Sequence, residues 1–319
     1  MFSLPAMRLV RSPRSLLSKC DAARRTSRVW LAVGLLATCS CGIFRSPSAP
    51  PQRPAPASWA RDAVTFAYLG HASVLIDFAG TMLLTDPTLY PRIGLSLGPL
   101  TIGPKRQVAS ALEPEELPEL DAVLVTHAHM DSLDRPSLAR LHSTPLLVVP
   151  ERSRDLVNDL GYTDVVELPW GKTVTQGGVT IEAVEVAHWG RRWPWERWRG
   201  YNEYLLSRGN VRVLFASDTA FSPELARFAR SRQVTVAILG IGAYDPWVWN
   251  HETPEQAWQT FVASGAEALI PVHWDTFRLG KEPLGDAMRR LITAAGADAG
   301  RVVIREIGET WRPAPSGSP

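Results

Sequence analysis

The chain has 319 residues and a formal net charge of +2, from 34 basic and 32 acidic side chains. Residues 1–40 carry seven Lys or Arg and one acid, which leaves a net charge of −4 on the remainder. A mildly acidic body, with only one local Arg cluster after residue 188, excludes bulk nucleic-acid binding. The length suffices for one large domain with a sizeable hydrophobic core.

The first 41 residues have the features of an export leader. A basic stretch precedes a short apolar run at 29–38, and Cys39-Ser40-Cys41-Gly42 then resembles the lipobox of bacterial lipoproteins. Either cysteine fits the acylated position, and the alternative is an ordinary secretory leader. We therefore expect an exported protein of the cell envelope, anchored to the membrane by a lipid at Cys39 or Cys41. Residues 42–60 are rich in proline and predict an extended tether.

The body, residues 61–312, alternates predicted strands with predicted helices, and residues 313–319 are expected to form a disordered tail. Strands are predicted at 64–69, 73–77 and 81–85. Helices are predicted at 136–141, 152–160, 223–232, 254–263 and 284–295. This pattern alone indicates an α/β fold. Because all three cysteines precede residue 42, the body offers no thiolate nucleophile and no sulfur ligand.

Four further predicted strands, at 122–125, 179–187, 213–217 and 268–272, are followed directly by side chains that bind metals well. These side chains are His127, His129, Asp131, His188, Asp218 and His273. The first three lie in the sequence THAHMDSLD at 126–134, after an apolar run at 122–125. Imidazoles two residues apart can converge on one cation, and α/β scaffolds generally build sites from the ends of several strands. A shared metal site explains this recurrence better than separate polar loops do.

At these positions the chain resembles the metallo-β-lactamase superfamily, which is marked by His-x-His-x-Asp-His and a later His, Asp and His. Within it, the chain is most similar to a branch that includes N-acylphosphatidylethanolamine-hydrolysing phospholipase D and ascorbate-6-phosphate lactonase-like hydrolases. The matching blocks are YLGHASVL (68–75), LTDP (84–87), GPKR (103–106), the 126–134 motif, AHW (187–189), ASDT (216–219), IGAYDP (241–246) and VHWDTF (272–277). They follow the family's order over residues 64–310. The resemblance implies an α/β fold of the four-layer αβ/βα sandwich type.

The resemblance also implies a zinc centre and its ligands. The first zinc ion would be held by His127, His129, His188 and a shared Asp218, and the second by Asp131, Asp218 and His273. The family places a histidine directly after the motif aspartate, where this chain has Ser132. A serine hydroxyl is a poor zinc ligand compared with imidazole. We therefore expect one firmly bound zinc ion and a second site that binds weakly, takes a harder ion or stays empty.

Five further side chains are candidates for contact with the substrate. They are His71, Trp189, Arg191, Arg192 and His251. The two histidines occupy positions that the family places near the site, although a turn-stabilising or capping role fits each about equally well. The loop at 188–200 is rich in Arg and Trp, a combination that suits lipid headgroups. The alternative is a loop whose indoles pack over the edge of a sheet.

The favoured function is a metal-dependent hydrolase, most specifically a phosphodiesterase of the phospholipase D type. A zinc-bound hydroxide would attack a phosphorus or acyl centre, with Asp131 or Asp218 as the catalytic carboxylate that orients it. The substrate would be a phospholipid or another small molecule. Two alternatives stay open: a lactonase or other small-molecule hydrolase on the same fold, and a metal-binding envelope lipoprotein of low activity, for which Ser132 is the argument.

Overall fold

Two β-sheets that share one hydrophobic core make up the body of the protein. The structure is a computed structural model and describes residues 46–314 except 99 and 143. The leader, including Cys39 and Cys41, lies outside the described residues, as do residues 315–319. The lipid anchor and the envelope location therefore stay predictions. Among the described residues, every helix is too short or too polar to span a bilayer.

The strands fall into a seven-stranded sheet, a six-stranded sheet and a small hairpin. In chain order they are β1 (Val64–Gly70), β2 (Ser73–Phe78), β3 (Thr81–Thr85), β4 (Leu95–Leu97), β5 (Leu100–Ile102), β6 (Ala122–Leu124), β7 (Leu146–Val149), β8 (Val165–Glu167), β9 (Thr173–Gln176), β10 (Val179–Val184), β11 (Glu203–Arg208), β12 (Val211–Ala216), β13 (Val236–Gly240), β14 (Ala268–Val272) and β15 (Thr310–Trp311). The strand orders are β15-β1-β2-β3-β6-β7-β8, β14-β13-β12-β11-β10-β9 and β4-β5. The predicted opening meander is confirmed as β1 to β3.

Strand directions decide which loops meet. In the first sheet β1, β2 and β3 are antiparallel neighbours and β3 is parallel to β6, so β1 runs in the same direction as β6. In the second sheet β10, β11 and β12 alternate in direction and β12 to β14 are parallel, so β10, β12 and β14 share one direction. The carboxyl ends of these strands consequently lie at one edge of each sheet, where α/β proteins place their sites.

The helices of the described residues are short. They are α1 (Arg135–Leu138), α2 (Pro223–Ser231), α3 (Tyr244–Trp247), α4 (Pro254–Ser264) and α5 (Asp286–Ala295). The last two predicted helices and the one at 223–232 are confirmed within about two residues, and α4 has a capping box between Thr253 and Gln256. Helices α2 and α5 each pack against α4, and α4 packs on β13. The α/β class is confirmed.

The helix predicted at 152–160 is wrong, because the structure has only one 3₁₀ turn there, Arg154–Leu156. Val157 leaves the helical region, with φ −128° and ψ −2°, and its side chain is completely buried. Burial of this β-branched side chain therefore overrides the helical tendency of the segment. The helix predicted at 136–141 is a single turn that ends at Leu138.

The described part of the predicted tether lies against the body. The backbone of Ser48 bonds to that of Gln107, and the N–H of Gln52 donates to the carbonyl of Ile307. The side chain of Arg53 pairs with Glu116 at 2.5 Å, and Pro56–Ser58 form a 3₁₀ turn. This proline-rich segment therefore has a defined course over the surface from residue 48 onward.

Two glycines allow β13 to approach the ends of its neighbours. A Cβ atom at Gly240 would lie 1.9 Å from the carbonyl oxygen of Ser217, and one at Gly242 would lie 2.0 Å from the carbonyl oxygen of His273. Both distances are far below van der Waals contact, so the close approach requires glycine. The residues concerned precede or include predicted metal ligands, so these glycines fix the backbone beneath the site.

Candidate metal centre

Side chains from both sheets converge at the carboxyl ends of β6, β10 and β12. The donors that meet there are His127, His129, His188 and Asp218, with ligand atoms within 4.8 Å of one another. Nε2 of His127 lies 2.8 Å from Nδ1 of His129 and 3.4 Å from Oδ2 of Asp218. Nε2 of His188 lies 3.4 Å from Nδ1 of His129. We call these four residues the first donor group.

Hydrogen bonds on the far side of two imidazoles orient their lone pairs into this group. Asp86 is buried and accepts bonds from the N–H and the hydroxyl of Thr126, each at 2.7 Å. Because the Thr126 hydroxyl donates to Asp86, its oxygen accepts from Nδ1 of His127, 2.8 Å away. Nδ1 of His188 lies 3.2 Å from the carbonyl oxygen of Asn250 and donates to it. In the neutral form of each ring Nε2 is then the nitrogen without a proton, which is the form that binds a metal; without an ion, the Asp218 carboxylate outweighs burial and raises the pKa of His127.

A second set of donors adjoins the first. Nε2 of His71 lies 3.2 Å from Oδ2 of Asp131, and Nε2 of His273 lies 3.4 Å from the same oxygen. Nε2 of His273 is also 3.3 Å from Oδ1 of Asp218. Asp218 thus turns one oxygen toward each set. Ser132 is buried, and its hydroxyl has no hydrogen-bond partner among the described residues.

A metal ion fits the first donor group on the chemistry of its donors. Three imidazole nitrogens and a carboxylate oxygen face one another at short range, in surroundings where His127 is almost completely buried. Lone pairs of two neutral imidazoles that face the same point repel each other unless a proton or a cation lies between them. Three histidines and one acid are a common ligand set for zinc. The four residues predicted for the first ion are therefore brought together.

Charge at the centre follows from burial and from the two carboxylates. Burial lowers the pKa of His129 to about 3 and that of His71 to about 4, so both rings are neutral near pH 7. Burial opposes charge on His273 as well, but Asp218 and Asp131 outweigh it and raise the pKa to about 9. The neighbouring histidines overcome desolvation and hold the pKa of Asp131 and Asp218 well below their usual range. Both carboxylates are thus ionised.

A cleft of about 220 Å³ opens onto both donor sets. It is lined by His129, Asp131, Trp189, Asp218, Ala243, Trp247, Asn250, His251, His273 and Leu279. Trp189 stacks on His188 with ring centroids 5.6 Å apart, and Arg191 lies over the Trp189 ring at 5.2 Å. His71 is buried and is not among the lining residues.

The predicted substrate residues therefore occupy different positions. Trp189 and His251 line the cleft, and Arg191 lies beside it. Arg192 instead donates to the carbonyl oxygens of Ala128 and Leu133, which ties the Arg- and Trp-rich loop to the loop that carries His127 and His129. Contact of these side chains with a substrate stays a prediction.

Comparison with known proteins agrees with this geometry. Residues 82–274, more than half of the chain, match the family model described as a β-lactamase superfamily domain. The chain belongs to this superfamily. The resemblance on which the sequence analysis relied is confirmed.

Relatives within the β-lactamase superfamily are moderately similar. An uncharacterized protein of Mycobacterium tuberculosis is 29% identical over 260 residues, which are 78% of this chain and 69% of that protein. N-acyl-phosphatidylethanolamine-hydrolyzing phospholipase D 1 of Caenorhabditis elegans is 29% identical over 275 residues, which are 76% of this chain and 74% of that protein. The crystal structure of a possible metal-dependent hydrolase from Veillonella parvula has a TM-score of 0.63 at 18% identity, over 78% of this chain and 99% of that one. That last likeness concerns the fold alone.

Some features of the site escape sequence reasoning. Trp247, Ala243 and Leu279 line the cleft, but no local pattern distinguishes them from other loop residues. Glu203 and Glu252 are buried acids, and burial together with Glu252 raises the pKa of Glu203 well above its usual value. The sequence around these two acids does not indicate their burial, because Glu203 begins an ordinary strand and Glu252 precedes a helix.

Replacing Thr126 by valine should weaken metal binding at the first donor group. Thr126→Val removes the hydroxyl that joins Asp86 to Nδ1 of His127, so the ring loses its orienting bond. We expect a loss of roughly 10–100-fold in zinc affinity, measured by competition with a chromophoric chelator. The control is Thr235→Val. Thr235 precedes β13, at the end of that strand away from the donors, and its hydroxyl donates a 2.9 Å bond to the carbonyl oxygen of Arg212. Equal affinities in the two variants would contradict this role of Thr126.

The buried acid Glu252 should make stability depend on pH. Burial raises the pKa of Glu252 from 4.5 to about 8, so between these values the native state keeps a proton that the unfolded chain has released. Stability should therefore fall as the pH rises through this window, by at most about 1.4 kcal/mol per pH unit. Glu252→Gln keeps an acceptor for the 2.5 Å bond from Thr260 but removes the titration. Urea unfolding should show the variant gaining stability over the wild type as the pH rises from 5 toward 8; a pH-independent difference would refute the assignment.

Proposed function

We propose that this member of the β-lactamase superfamily is a metal-dependent phosphodiesterase that acts on phospholipid-like substrates. Family membership and the first donor group support a metal-dependent hydrolase. The observation that carries the narrower proposal is that the donors open into a cleft walled by tryptophan and aliphatic side chains. Such a cleft combines groups that act on a phosphate with surface that accommodates apolar chain.

Different side chains of the site would bind the cation and orient the attacking water. His127, His129, His188 and Asp218 would hold a divalent cation, which lowers the pKa of water and polarises a phosphoryl oxygen when it is bound. Asp131 lines the cleft as an ionised carboxylate, so it can accept a hydrogen bond from the attacking water and orient it.

Two further groups would bind the phosphate. Burial lowers the pKa of His251 to about 4, so its imidazole is neutral near pH 7 and can donate one hydrogen bond to a phosphate oxygen. The guanidinium of Arg191, beside the cleft, supplies a positive charge for the same phosphate.

Exposed aromatic side chains next to the cleft support a lipid substrate. Trp247 lines the cleft while 48% of its surface is exposed, and Trp249 is 84% exposed in the same turn. In the loop that follows Trp189, Trp195 is 68% exposed. Large exposed indoles are costly in water but favourable at a membrane interface, where one end of the ring is apolar and the other polar. The predicted lipoprotein leader would hold the enzyme at such a surface, and we propose an envelope location on that basis.

The name of one relative points the same way. The Caenorhabditis elegans protein is named as an N-acyl-phosphatidylethanolamine-hydrolyzing phospholipase D, and the similarity spans about three quarters of both chains. At 29% identity a shared reaction class is a reasonable inference, whereas the headgroup and acyl specificity are open to change.

Hydrolysis of a generic phosphodiester, bis(p-nitrophenyl) phosphate, tests the reaction class. We expect turnover that a chelator abolishes and that zinc restores. His129→Ala removes one of the side chains that would bind the metal directly. The rate should therefore fall by more than the roughly 100-fold expected when a residue that only orients a metal ligand is lost. His142→Ala, remote from the donors and lining a separate hollow, is the matched control. Turnover of a lactone but of no phosphodiester would instead support the lactonase alternative, and no turnover of either would support a low-activity metal protein.

A vesicle assay tests the lipid surface. Trp249→Ser should lower turnover of phospholipid in vesicles by roughly 10-fold, since it removes an interfacial anchor, while turnover of the soluble phosphodiester stays unchanged. Val262→Ser, at a residue 47% exposed on α4, is the control and should change neither rate. If Trp249→Ser left vesicle turnover intact, or lowered both rates equally, the indole would have no role at an interface.

A further inference from the structure

Strands β4 and β5 form a hairpin whose two faces differ in polarity. Leu95 pairs with Ile102 and Ser96 pairs with Thr101, so the members of each pair point to the same side of the ribbon. The hydroxyls of Ser96 and Thr101 lie 3.1 Å apart on one face. Leu95, Leu100 and Ile102 share the other face and are 39%, 59% and 55% exposed. One face of the hairpin is therefore an apolar surface that is open to solvent.

This apolar face is separate from the hydrophobic core of the body. The hairpin is a two-stranded sheet of its own, and within the described residues neither strand pairs with a third. Its three exposed apolar side chains are outside the cluster of buried residues that the two large sheets share. An isolated two-stranded hairpin is at best marginally stable in water, and an exposed apolar patch marks an interaction site. The hairpin therefore has the character of a docking element.

The base of the hairpin is closely packed. A Cβ atom at Gly94 would lie 2.2 Å from the carbonyl oxygen of Ile102, and one at Gly103 would lie 2.2 Å from the carbonyl oxygen of Ile93. A side chain at either glycine would collide with the opposite strand. The guanidinium of Arg92 donates to the carbonyl oxygen of Gly103 at 2.8 Å and joins the two strands below the glycines. The hairpin therefore leaves the body in a defined direction.

This base adjoins the wall of the cleft. Arg106 is buried just after the hairpin, pairs with Phe277 through the backbone and places its guanidinium 5.3 Å from the centre of the Phe277 ring. Two residues later, Leu279 lines the cleft, and its carbonyl oxygen accepts a 3.4 Å bond from Nε1 of Trp247. The hairpin and the half-exposed indole of Trp247 are thus attached to one short segment, residues 277–279.

The N-terminal segment of the body passes beside the same base. The N–H of Ser48 donates to the carbonyl oxygen of Gln107, and the N–H of Ala109 donates to the carbonyl oxygen of Ser48. Cys41 precedes Ser48 by seven residues, and Cys39 precedes it by nine. Because an extended chain advances by at most about 3.6 Å per residue, a lipid on either cysteine would keep this side of the body within roughly 25–32 Å of a membrane.

We infer that the apolar face of the β4–β5 hairpin docks on a lipid bilayer and turns the mouth of the cleft toward it. Lipid is the favoured occupant, because the base of the hairpin, the cleft wall and the segment that follows the predicted anchor lie together. The outer edges of β4 and β5 pair with no further strand among the described residues, so the hairpin would lie among the headgroups, where water remains available, and not in the hydrocarbon. The inference rests on the proposed action on phospholipid-like substrates.

Hydrogen exchange on the full chain tests docking at the hairpin itself. The chain is compared with and without vesicles of phosphatidylethanolamine and phosphatidylglycerol, and mass spectrometry follows exchange in peptides that cover residues 95–102. Exchange there should slow by roughly 10-fold when vesicles are added, because docking restricts opening of the hairpin. Peptides from β6 and β7, which lie inside the first sheet, should not change and report an intact fold.

Variants on the two faces of the hairpin form a matched pair. The double variant Leu100→Ser and Ile102→Ser makes the exposed apolar face polar, so it should lose the slowing of exchange that vesicles cause. The double variant Ser96→Ala and Thr101→Ala changes the opposite face of the same strands and should keep it. Unchanged exchange in β6 and β7 would show that both variants are folded.

Other outcomes overturn the inference in distinguishable ways. Equal exchange with and without vesicles, or slowing that persists in Leu100→Ser and Ile102→Ser, would exclude this face as the docking surface. Slow exchange without vesicles would assign the face to a second copy of the chain if it depended on protein concentration, and to another segment of the same chain if it did not. Turnover of phospholipid without slowed exchange at 95–102 would overturn the docking alone. Slowed exchange on vesicles without any phosphodiester turnover would instead refute the proposed function and leave the docking standing.

Discussion

The centre depends on a single carboxylate that turns its two oxygens in different directions. Oδ2 of Asp218 faces His127 and His188, and Oδ1 faces His273. An ionised carboxylate with histidines on both sides keeps its negative charge in a buried place only because positive charge lies close by. That charge can come from protons on the histidines or from cations between them. The surrounding architecture, with two sheets that end at the same edge, serves to bring these histidines within reach of one aspartate.

The backbone beneath the centre is also tightly constrained. Gly240 and Gly242 allow β13 to pass so close to its neighbours that any side chain would collide with a carbonyl oxygen. His71 and His273 accept left-handed backbone conformations and bond to each other through the main chain. Strained non-glycine residues persist where surrounding structure over-determines them, and functional sites are where they gather. Precision at the metal centre is thus obtained at some expense of stability in the loops that carry it.

Local sequence patterns were sufficient for part of the site. An apolar run followed by a histidine or an aspartate predicts a buried strand and a donor at its end, and His127, His188 and Asp218 do come together as that pattern implies. The α/β class, the opening meander and three of the helices are confirmed for the same reason, because they depend on neighbours in the chain. The helix predicted at 152–160 failed where burial of Val157 overrode local preference.

Other parts of the site depend on distant pairing. His71 meets Asp131 because β1 runs in the same direction as β6, with β2 and β3 between them. The residues around Gly70 do not indicate this direction. In the same way, the bonds of Arg192 to the carbonyl oxygens of Ala128 and Leu133 arise from the meeting of two loops far apart in sequence.

The composition of the donors also decides how the centre would respond to its chemical surroundings. Every donor is a nitrogen or an oxygen, since the body after residue 41 contains no cysteine. Oxidants that release zinc from thiolate sites therefore have no sulfur to attack here. Nitrogen and oxygen sites generally bind Cu²⁺ more tightly than Zn²⁺, and these donors would do the same. The metal that such a centre would hold therefore depends on which ions reach it, and copper in excess would act as a competitor.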